Sequence, residues 1–345
     1  MSTHSAVLVG SPAAVRRPSG ARALQRASAA SMIMVAAGIV LWAVVPGLRG
    51  RDVAAVGIIG LLIGIPHGAV DHVLPPGGSW PVRLGAVSRL IGLYWLAFAA
   101  MLAIVLALPV VAYWAIIVLA VFHWGVGDAV LRRERRGEAT GIGGPVEILA
   151  YGGFIVVNAA VWPDNVRAVL AAVAPGVADE ARLPTLVVGC LLAAAMVAFS
   201  ARMLLRRRWL EAGEVALLLV LAILTPPIVA FGLYFGLWHA VRQTTRLFVH
   251  AGRTGSAPGD PPGLAIGPAD LLRMMVYGLV GVSAVVLVVL ALSGMYPDRV
   301  LHFRGDDWAM AALTAAVAPH VVTVLRYDLW TVRSYRNGPH PERTG

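Results

Sequence analysis

Residues 110–131 read VVAYWAIIVLAVFHWGVGDAVL, and residues 132–136 that follow them read RRERR. The first stretch is apolar over a length, about 17–25 residues, that crosses a bilayer as a helix. Apolar stretches of this kind recur along the whole 345-residue chain, which is 59% hydrophobic and only 13% charged, whereas a soluble domain carries about 25% charged residues. The sequence therefore predicts an all-α, polytopic transmembrane helical bundle.

The apolar stretches divide the chain into about ten predicted spans. The sequence Thr225-Pro226-Pro227 separates the seventh span from the eighth, because a proline pair ends or kinks a helix. The apolar region from Val215 to Phe248 is also too long for one straight span. The ten predicted spans lie near 31–48, 53–74, 86–108, 110–131, 145–161, 184–205, 213–229, 231–249, 271–293 and 308–326.

Arginine side chains indicate the orientation. The net charge is +10, and all 28 basic residues are arginines. With ten spans and the N-terminus inside, every basic cluster falls on the cytoplasmic side, as the positive-inside rule requires, so the charge indicates membrane topology rather than a nucleic-acid partner. We expect a multi-pass protein of the cell membrane with a disordered cytoplasmic N-terminal tail (1–30), a transmembrane domain (31–326) and a cytoplasmic C-terminal tail (327–345).

Four histidines interrupt the apolar stretches: His67, His123, His239 and His320. A titratable side chain inside a membrane-spanning helix is costly, so each needs a partner or a role. They lie on predicted spans two, four, eight and ten, which all run from outside to inside, and they fall at a similar depth for a rise of about 1.5 Å per residue. Because neutral imidazole is the commonest metal ligand, we predict one buried metal site lined by these four histidines.

Further polar and aromatic residues lie close to the histidines in sequence. Asp71 comes four residues after His67, on the same helix face, where a carboxylate can orient a ligating imidazole through its other ring nitrogen. The residues predicted to support the ligands or line the cavity are Asp71, His72, Asp128, Gln243, Trp124 and Trp238.

The donor set limits the metal and leaves several functions open. Imidazole ligands without thiolate suit Fe(II), Cu or Zn, and the single cysteine, Cys190, excludes a cysteine-ligated zinc site. The paired-histidine clusters of membrane di-iron enzymes are absent from the sequence, which favours a mononuclear site. Besides an oxygenase, the intramembrane His and Asp residues leave open a transporter or metal permease, and paired histidines leave open a haem-holding subunit.

Four motifs carry a family resemblance: PHGAVDH at residues 66–72, FHWGVGD at 122–128, WHAVR at 238–242 and PH at 319–320. In this order they resemble the Brp/Blh family, microbial integral-membrane β-carotene 15,15′-dioxygenases that make retinal. The resemblance covers residues 50–325.

The resemblance implies a non-haem Fe(II), held by histidine, that activates O₂ and splits the central double bond of β-carotene or a related carotenoid. It assigns His67, His123 and His239 to the iron site. In the third motif, the family commonly has a second histidine four residues after the first one. This chain has Gln243 at that second position. Either His320 completes the site, or a ligand is lost. The implied partners are the carotenoid, O₂ and membrane lipid, with a functional link to a retinal-binding opsin.

Overall fold

The computed structural model describes residues 18–49, 53–64, 67–68, 84–138, 142–173, 177–251, 315–329 and 332. Every regular element in these ranges is helical, as the sequence predicts. A π-helix (Leu233–His239), here called the π segment, joins α11 to α12, and a 3-10 turn (Pro46–Arg49) follows α1. The α-helices are α1 (Pro18–Val44), α2 (Val53–Gly64), α3 (Leu84–Ala107), α4 (Pro109–Arg136), α5 (Pro145–Gly152), α6 (Phe154–Val161), α7 (Pro163–Val173), α8 (Val177–Glu180), α9 (Arg182–Leu205), α10 (Trp209–Leu224), α11 (Pro227–Gly232), α12 (Ala240–Ala251) and α13 (315–329).

Three helices in the described ranges are long and apolar enough to cross a membrane. They are Gly20–Val44 within α1, Pro109–Arg136 and Arg182–Leu205, and they are consistent with membrane association. The predicted span 145–161 is instead divided between α5 and α6. The predicted span 271–293 lies outside the described residues, and the total of ten spans stays a prediction.

Helix α4 begins and ends at residues suited to those positions. Pro109 occupies the start of the helix, where its fixed φ suits the helix and its missing N–H is not needed. At the other end Gly137 adopts a left-handed φ of 64°, and the N–H groups of Gly137 and Glu138 donate to the carbonyls of Glu134 and Arg133. The helix therefore extends the predicted span 110–131 through its basic cluster.

The first helix extends further toward the N-terminus than the first predicted span. Helix α1 begins at Pro18, so residues 18–30 are helical, although their polar composition predicted a disordered tail. Leu24 is fully buried and packs with Leu131 and Val249. Burial of this side chain offsets part of the entropy cost of ordering the segment.

The predicted helix boundary at the proline pair is confirmed. Helix α10 ends at Leu224 and α11 begins at Pro227, with Thr225 in an extended conformation between them. The Asn158 side-chain amide donates to the carbonyls of Ala222 and Thr225, at 2.9 and 2.8 Å. These bonds satisfy carbonyl oxygens that the end of the helix would leave without partners.

Helices α4 and α5 touch backbone to backbone. A Cβ atom on Gly125 would lie 2.1 Å from the Ile148 carbonyl oxygen, and one on Gly152 would lie 1.9 Å from the Val121 carbonyl oxygen. Only glycine permits this approach. The contact holds α5 against the part of α4 that carries His123.

A second close crossing joins α2 to the end of α11 and to the π segment. A Cβ atom on Gly60 would lie 2.2 Å from the Gly232 carbonyl oxygen, and one on Gly236 would lie 2.6 Å from the Gly60 carbonyl oxygen. Small residues at such crossings let helices in a membrane protein approach closely. The crossing brings the end of α2, and His67 after it, beside His239 at the end of the π segment.

The side chain of Arg246 ties three helices together. Its Nε and Nη2 donate to Glu134 of α4 at 2.9 and 3.1 Å, and its Nη1 donates to Asp328 of α13. All three side chains are completely buried. Helix α13 continues to residue 329, past the end of the predicted span 308–326, and Asp328 near its end pairs with a buried cation.

Replacing Gly125 by alanine should destabilise the protein, and replacing Gly127 should not. The Gly125 substitution forces α4 and α5 apart, at a cost of about 1–3 kcal/mol or more. Gly127, two residues along, has nothing within 4 Å of its Cβ position in the described part of the chain, so alanine there should be neutral or stabilise by about 0.5–1 kcal/mol. Thermal unfolding of both variants in one detergent checks this; equal midpoints would contradict it.

Replacing Arg246 by methionine should destabilise the protein by about 3–5 kcal/mol, because two carboxylates lose their buried counter-charge. The control is Arg208→Met, which removes a partly exposed arginine 3.4 Å from Glu138 and should cost about 0–1 kcal/mol. The shift of the thermal unfolding midpoint measures both losses. Similar midpoint shifts in the two variants would show that the ion pairs of Arg246 do not hold α13 in place.

Candidate metal centre

The four predicted histidine rings meet in one place, here called the imidazole cluster. His67 follows α2, His123 lies in α4, His239 ends the π segment and His320 lies in α13. The ring centroid of His67 is 4.9 Å from that of His239 and 4.7 Å from that of His320. The centroid of His123 is 4.9 Å from that of His239 and 5.2 Å from that of His320. Side chains up to 253 positions apart in the sequence are thus in contact.

The orientation of His67 is set by the backbone of its own segment. Its Nδ1 donates to the Gly64 carbonyl, and its Nε2 lies 3.1 Å from Nε2 of His320. A carbonyl oxygen only accepts, so Nδ1 carries the proton and Nε2 of the neutral ring presents its lone pair. Gly68 lies against the same ring of His320, since a Cβ there would be 3.3 Å from His320 Nδ1.

Three of the four rings present nitrogen atoms close enough together to hold one metal ion. One ligand nitrogen from each of His67, His239 and His320 lies within 4.8 Å of the other two. Among the described residues, Nδ1 of His123 and Nε2 of His239 are buried without a hydrogen-bond partner. A buried polar atom without a partner costs about 1–3 kcal/mol, and coordination of a cation would remove that cost. An all-imidazole donor set suits Fe(II), Cu or Zn.

Aromatic side chains lie beside two of the rings of the cluster. The Phe235 ring meets His67 edge-on at 5.2 Å and is itself stacked on Phe231 at 5.4 Å. Trp124, predicted as a cavity residue, is buried with its ring centroid 6.4 Å from that of His239. The cluster therefore has apolar aromatic neighbours on the sides of His67 and His239.

Two of the predicted supporting residues bond to each other. The Trp238 indole N–H donates to Asp128 at 3.0 Å, and Arg242 donates to the other Asp128 oxygen at 3.0 Å. The Arg242 guanidinium also lies over the Trp238 ring, 3.5 Å from its centroid. The side chains that flank His239 in sequence are thus joined through the carboxylate of α4.

Of the remaining predicted supporting residues, only Gln243 lies within the described ranges. Gln243 is buried, and its side-chain nitrogen has no hydrogen-bond partner within the ranges that the structure covers. Asp71 and His72 lie outside the described residues, so their predicted roles stay predictions.

Beside the cluster lies a layer of buried charges, of which the sequence predicted only Asp128, because its arginines were used only to orient the spans. Arg135 donates to both carboxylate oxygens of Glu214, at 2.7 and 3.3 Å. Arg242 donates to the same carboxylate at 2.9 Å, and Tyr151 donates to it at 2.8 Å. We call Arg135, Arg242, Asp128 and Glu214 the charged layer. Its signal in the sequence was the acidic residues inside apolar stretches, to which the positive-inside rule gives no weight.

The ion pairs continue to the end of α4. Arg136 donates to Glu211 at 2.9 Å and to Glu138 at 2.6 Å. Partial burial opposes ionisation of Glu138, but the hydrogen bond from Arg136 and the charges of Arg132 and Arg208 outweigh it and hold the pKa of Glu138 below its ordinary value. Glu138 therefore stays ionised at neutral pH and balances the basic cluster there.

Comparisons with known proteins identify the family of the chain. The sequence model of the β-carotene 15,15′-dioxygenase family matches residues 58–327, a range that contains all four histidines of the cluster. A probable β-carotene 15,15′-dioxygenase Blh from Halobacterium salinarum is 28% identical over 308 residues, which cover 78% of this chain and 82% of the relative. No solved structure matches the chain significantly. The chain therefore belongs to the β-carotene 15,15′-dioxygenase family and is an enzyme of the carotenoid-cleaving dioxygenase class.

Proposed function

We propose that this protein is a membrane-embedded, non-haem Fe(II) dioxygenase that cleaves the central double bond of β-carotene, or of a related carotenoid, to give retinal. The family match and the name of the Halobacterium relative support the substrate class. The observation that carries the proposal is the meeting of four imidazoles from four separate elements. Imidazole is the commonest protein ligand for metal ions, and ligand nitrogens of three of these rings lie within 4.8 Å of one another.

His67, His239 and His320 would hold the iron, with His123 beside them as the fourth candidate ligand. When bound, ferrous iron supplies a centre at which O₂ binds and is activated next to an olefin. In the proposed reaction one C=C bond is replaced by two C=O bonds, and both oxygen atoms enter the aldehyde products. The reaction therefore needs no external reductant and no net proton.

The residues of the chain orient the donors and keep water out. The bond from His67 Nδ1 to the Gly64 carbonyl directs the Nε2 lone pair toward the cluster. His67 and His123 are each only 2% exposed, and Phe235 and Trp124 form apolar walls beside the rings. Exclusion of water protects a reactive site from side reactions.

The membrane supplies the substrate and receives the product. A carotenoid dissolves in the hydrocarbon region of the bilayer, where an apolar site between helices can take it up directly. Phe122, which precedes His123 in α4, is 46% exposed on the outside of the helix, on the side that we assign to lipid. We further propose a multi-pass location in the cell membrane and a functional link to an opsin that binds the retinal formed.

His239→Ala should abolish retinal formation, because it removes a ligand at the centre of the cluster. The matched control is His340→Ala, at a histidine that the sequence places in the C-terminal tail. Both variants are expressed in β-carotene-producing bacteria, and retinal is measured by chromatography against wild type. Retinal at the wild-type level from the His239 variant would refute its role as a ligand.

His320→Ala should lose iron, whereas Gln243→Ala should retain it. The cluster already contains His320, so residue 243 is not needed to complete the ligand set. Loss of a ligand should weaken iron binding by more than the roughly 10–100-fold that loss of a ligand-supporting residue costs. Iron per chain in the purified variants measures this. The opposite pattern, with iron lost only from the Gln243 variant, would place residue 243 among the ligands and remove His320.

A further inference from the structure

We propose that Arg242 is a positioning residue for the metal centre, which fixes the end of the π segment and thereby the direction of His239. The proposal rests on the proposed function, because it assigns a role within the same site. It concerns the binding of metal rather than the identity of the substrate.

The guanidinium of Arg242 is bonded at all three nitrogen atoms. Nε donates to the Ser31 hydroxyl at 2.8 Å, Nη1 to Asp128 at 3.0 Å and Nη2 to Glu214 at 2.9 Å. These acceptors lie on α1, α4 and α10, and Arg242 is only 2% exposed. A planar guanidinium meets three acceptors in fixed directions, which the single ammonium of lysine cannot reproduce.

Trp238, the residue before His239, is one corner of a closed triangle of contacts. Trp238 donates to Asp128, Asp128 accepts from Arg242, and Arg242 lies over the face of the Trp238 ring. Trp238 is completely buried. Because each corner contacts the other two, movement of the chain at residues 238–242 would break at least two interactions.

The π segment makes His239 dependent on such support. A π-helix is rare and occurs frequently at functional sites, and here it ends at His239 itself. The Nε2 atom of His239 is buried and has no hydrogen-bond partner in the described part of the chain. The direction of the ring is therefore set by its backbone and by packing against neighbours such as Tyr234, whose ring is inclined to it by 15°.

Arg135 offers a matched comparison within the charged layer. It is buried and donates twice to the same Glu214 carboxylate, so its replacement by lysine should disturb the layer as a whole. Arg135 has no hydrogen bond to Asp128 or Trp238 among the described residues. The layer contains two arginines and two carboxylates, and lysine at either arginine preserves this balance of charge. A general structural role predicts equal effects of the two substitutions, whereas a positioning role predicts an effect on the metal from Arg242 alone.

The test is the Co(II) affinity of full-length Arg242→Lys and Arg135→Lys in detergent, measured by titration of the Co(II) absorption bands and normalised to folded protein. Arg242→Lys should weaken Co(II) binding by about 10–100-fold and alter the shape of the bands, which report ligand geometry. Arg135→Lys should keep the wild-type affinity and bands. Equal loss in the two variants, or wild-type behaviour of Arg242→Lys, would overturn the proposal.

A second variant covers the case in which Arg242→Lys does not fold. Trp238→Phe keeps an aromatic ring over the guanidinium but removes the N–H that bonds Asp128. It should also weaken Co(II) binding and change the bands; wild-type binding would overturn the proposal.

The same titration separates this proposal from the proposed function. A wild-type protein that binds Co(II) but forms no retinal with iron would overturn the proposed reaction and leave the comparison of the two arginines decisive. A wild-type protein that binds no Co(II) would overturn the metal site, and the role of Arg242 with it.

Discussion

The pairing of buried guanidinium groups with carboxylates is the constraint on which this structure depends. Each buried ion costs several kcal/mol to remove from water, so it persists only where partners surround it. Arg246 is held by Glu134 and Asp328, and Arg242 by Asp128 and Glu214. Because each arginine lies on α12 and its partners lie on other helices, satisfying the charge also places the helices. A shift of one helix along another would leave a charge without its partner.

These ties have a direct consequence for the imidazole cluster. Helices α4, α12 and α13 carry or adjoin His123, His239 and His320, and Arg246 joins all three helices. Glycine crossings then bring the remaining element close enough for His67 to meet the others. The charged layer, the ion pairs of Arg246 and the glycine crossings act on different sets of helices around the cluster. The rings can therefore be held in one geometry although most of the surrounding contacts are apolar and non-directional.

Local signals in the sequence predicted much of this arrangement. Apolar stretches ending in arginines predicted helices, the proline pair predicted the boundary between α10 and α11, and isolated histidines at matching depth predicted one cluster. The start of α1 was missed because Leu24 gains its burial from Leu131 and Val249, which are far away in the sequence. The pairing of Asp128, itself a predicted supporting residue, with Arg242 was missed for the same reason, since the two are 114 positions apart. No periodicity or composition records such a pair.

The sequence by itself determined the helical class, the apolar character of the spans and the residue types available as ligands, because these depend on hydrophobicity and side-chain chemistry along a short stretch. Only the tertiary structure decided which charges pair and which glycines lie against the backbone of another helix. It also decided that Nε2 of His320 lies 3.1 Å from Nε2 of His67. The physical reason is that burial of an ion or of a backbone contact depends on several helices at once. The stabilising free energy of such a contact is gained only after those helices have packed together.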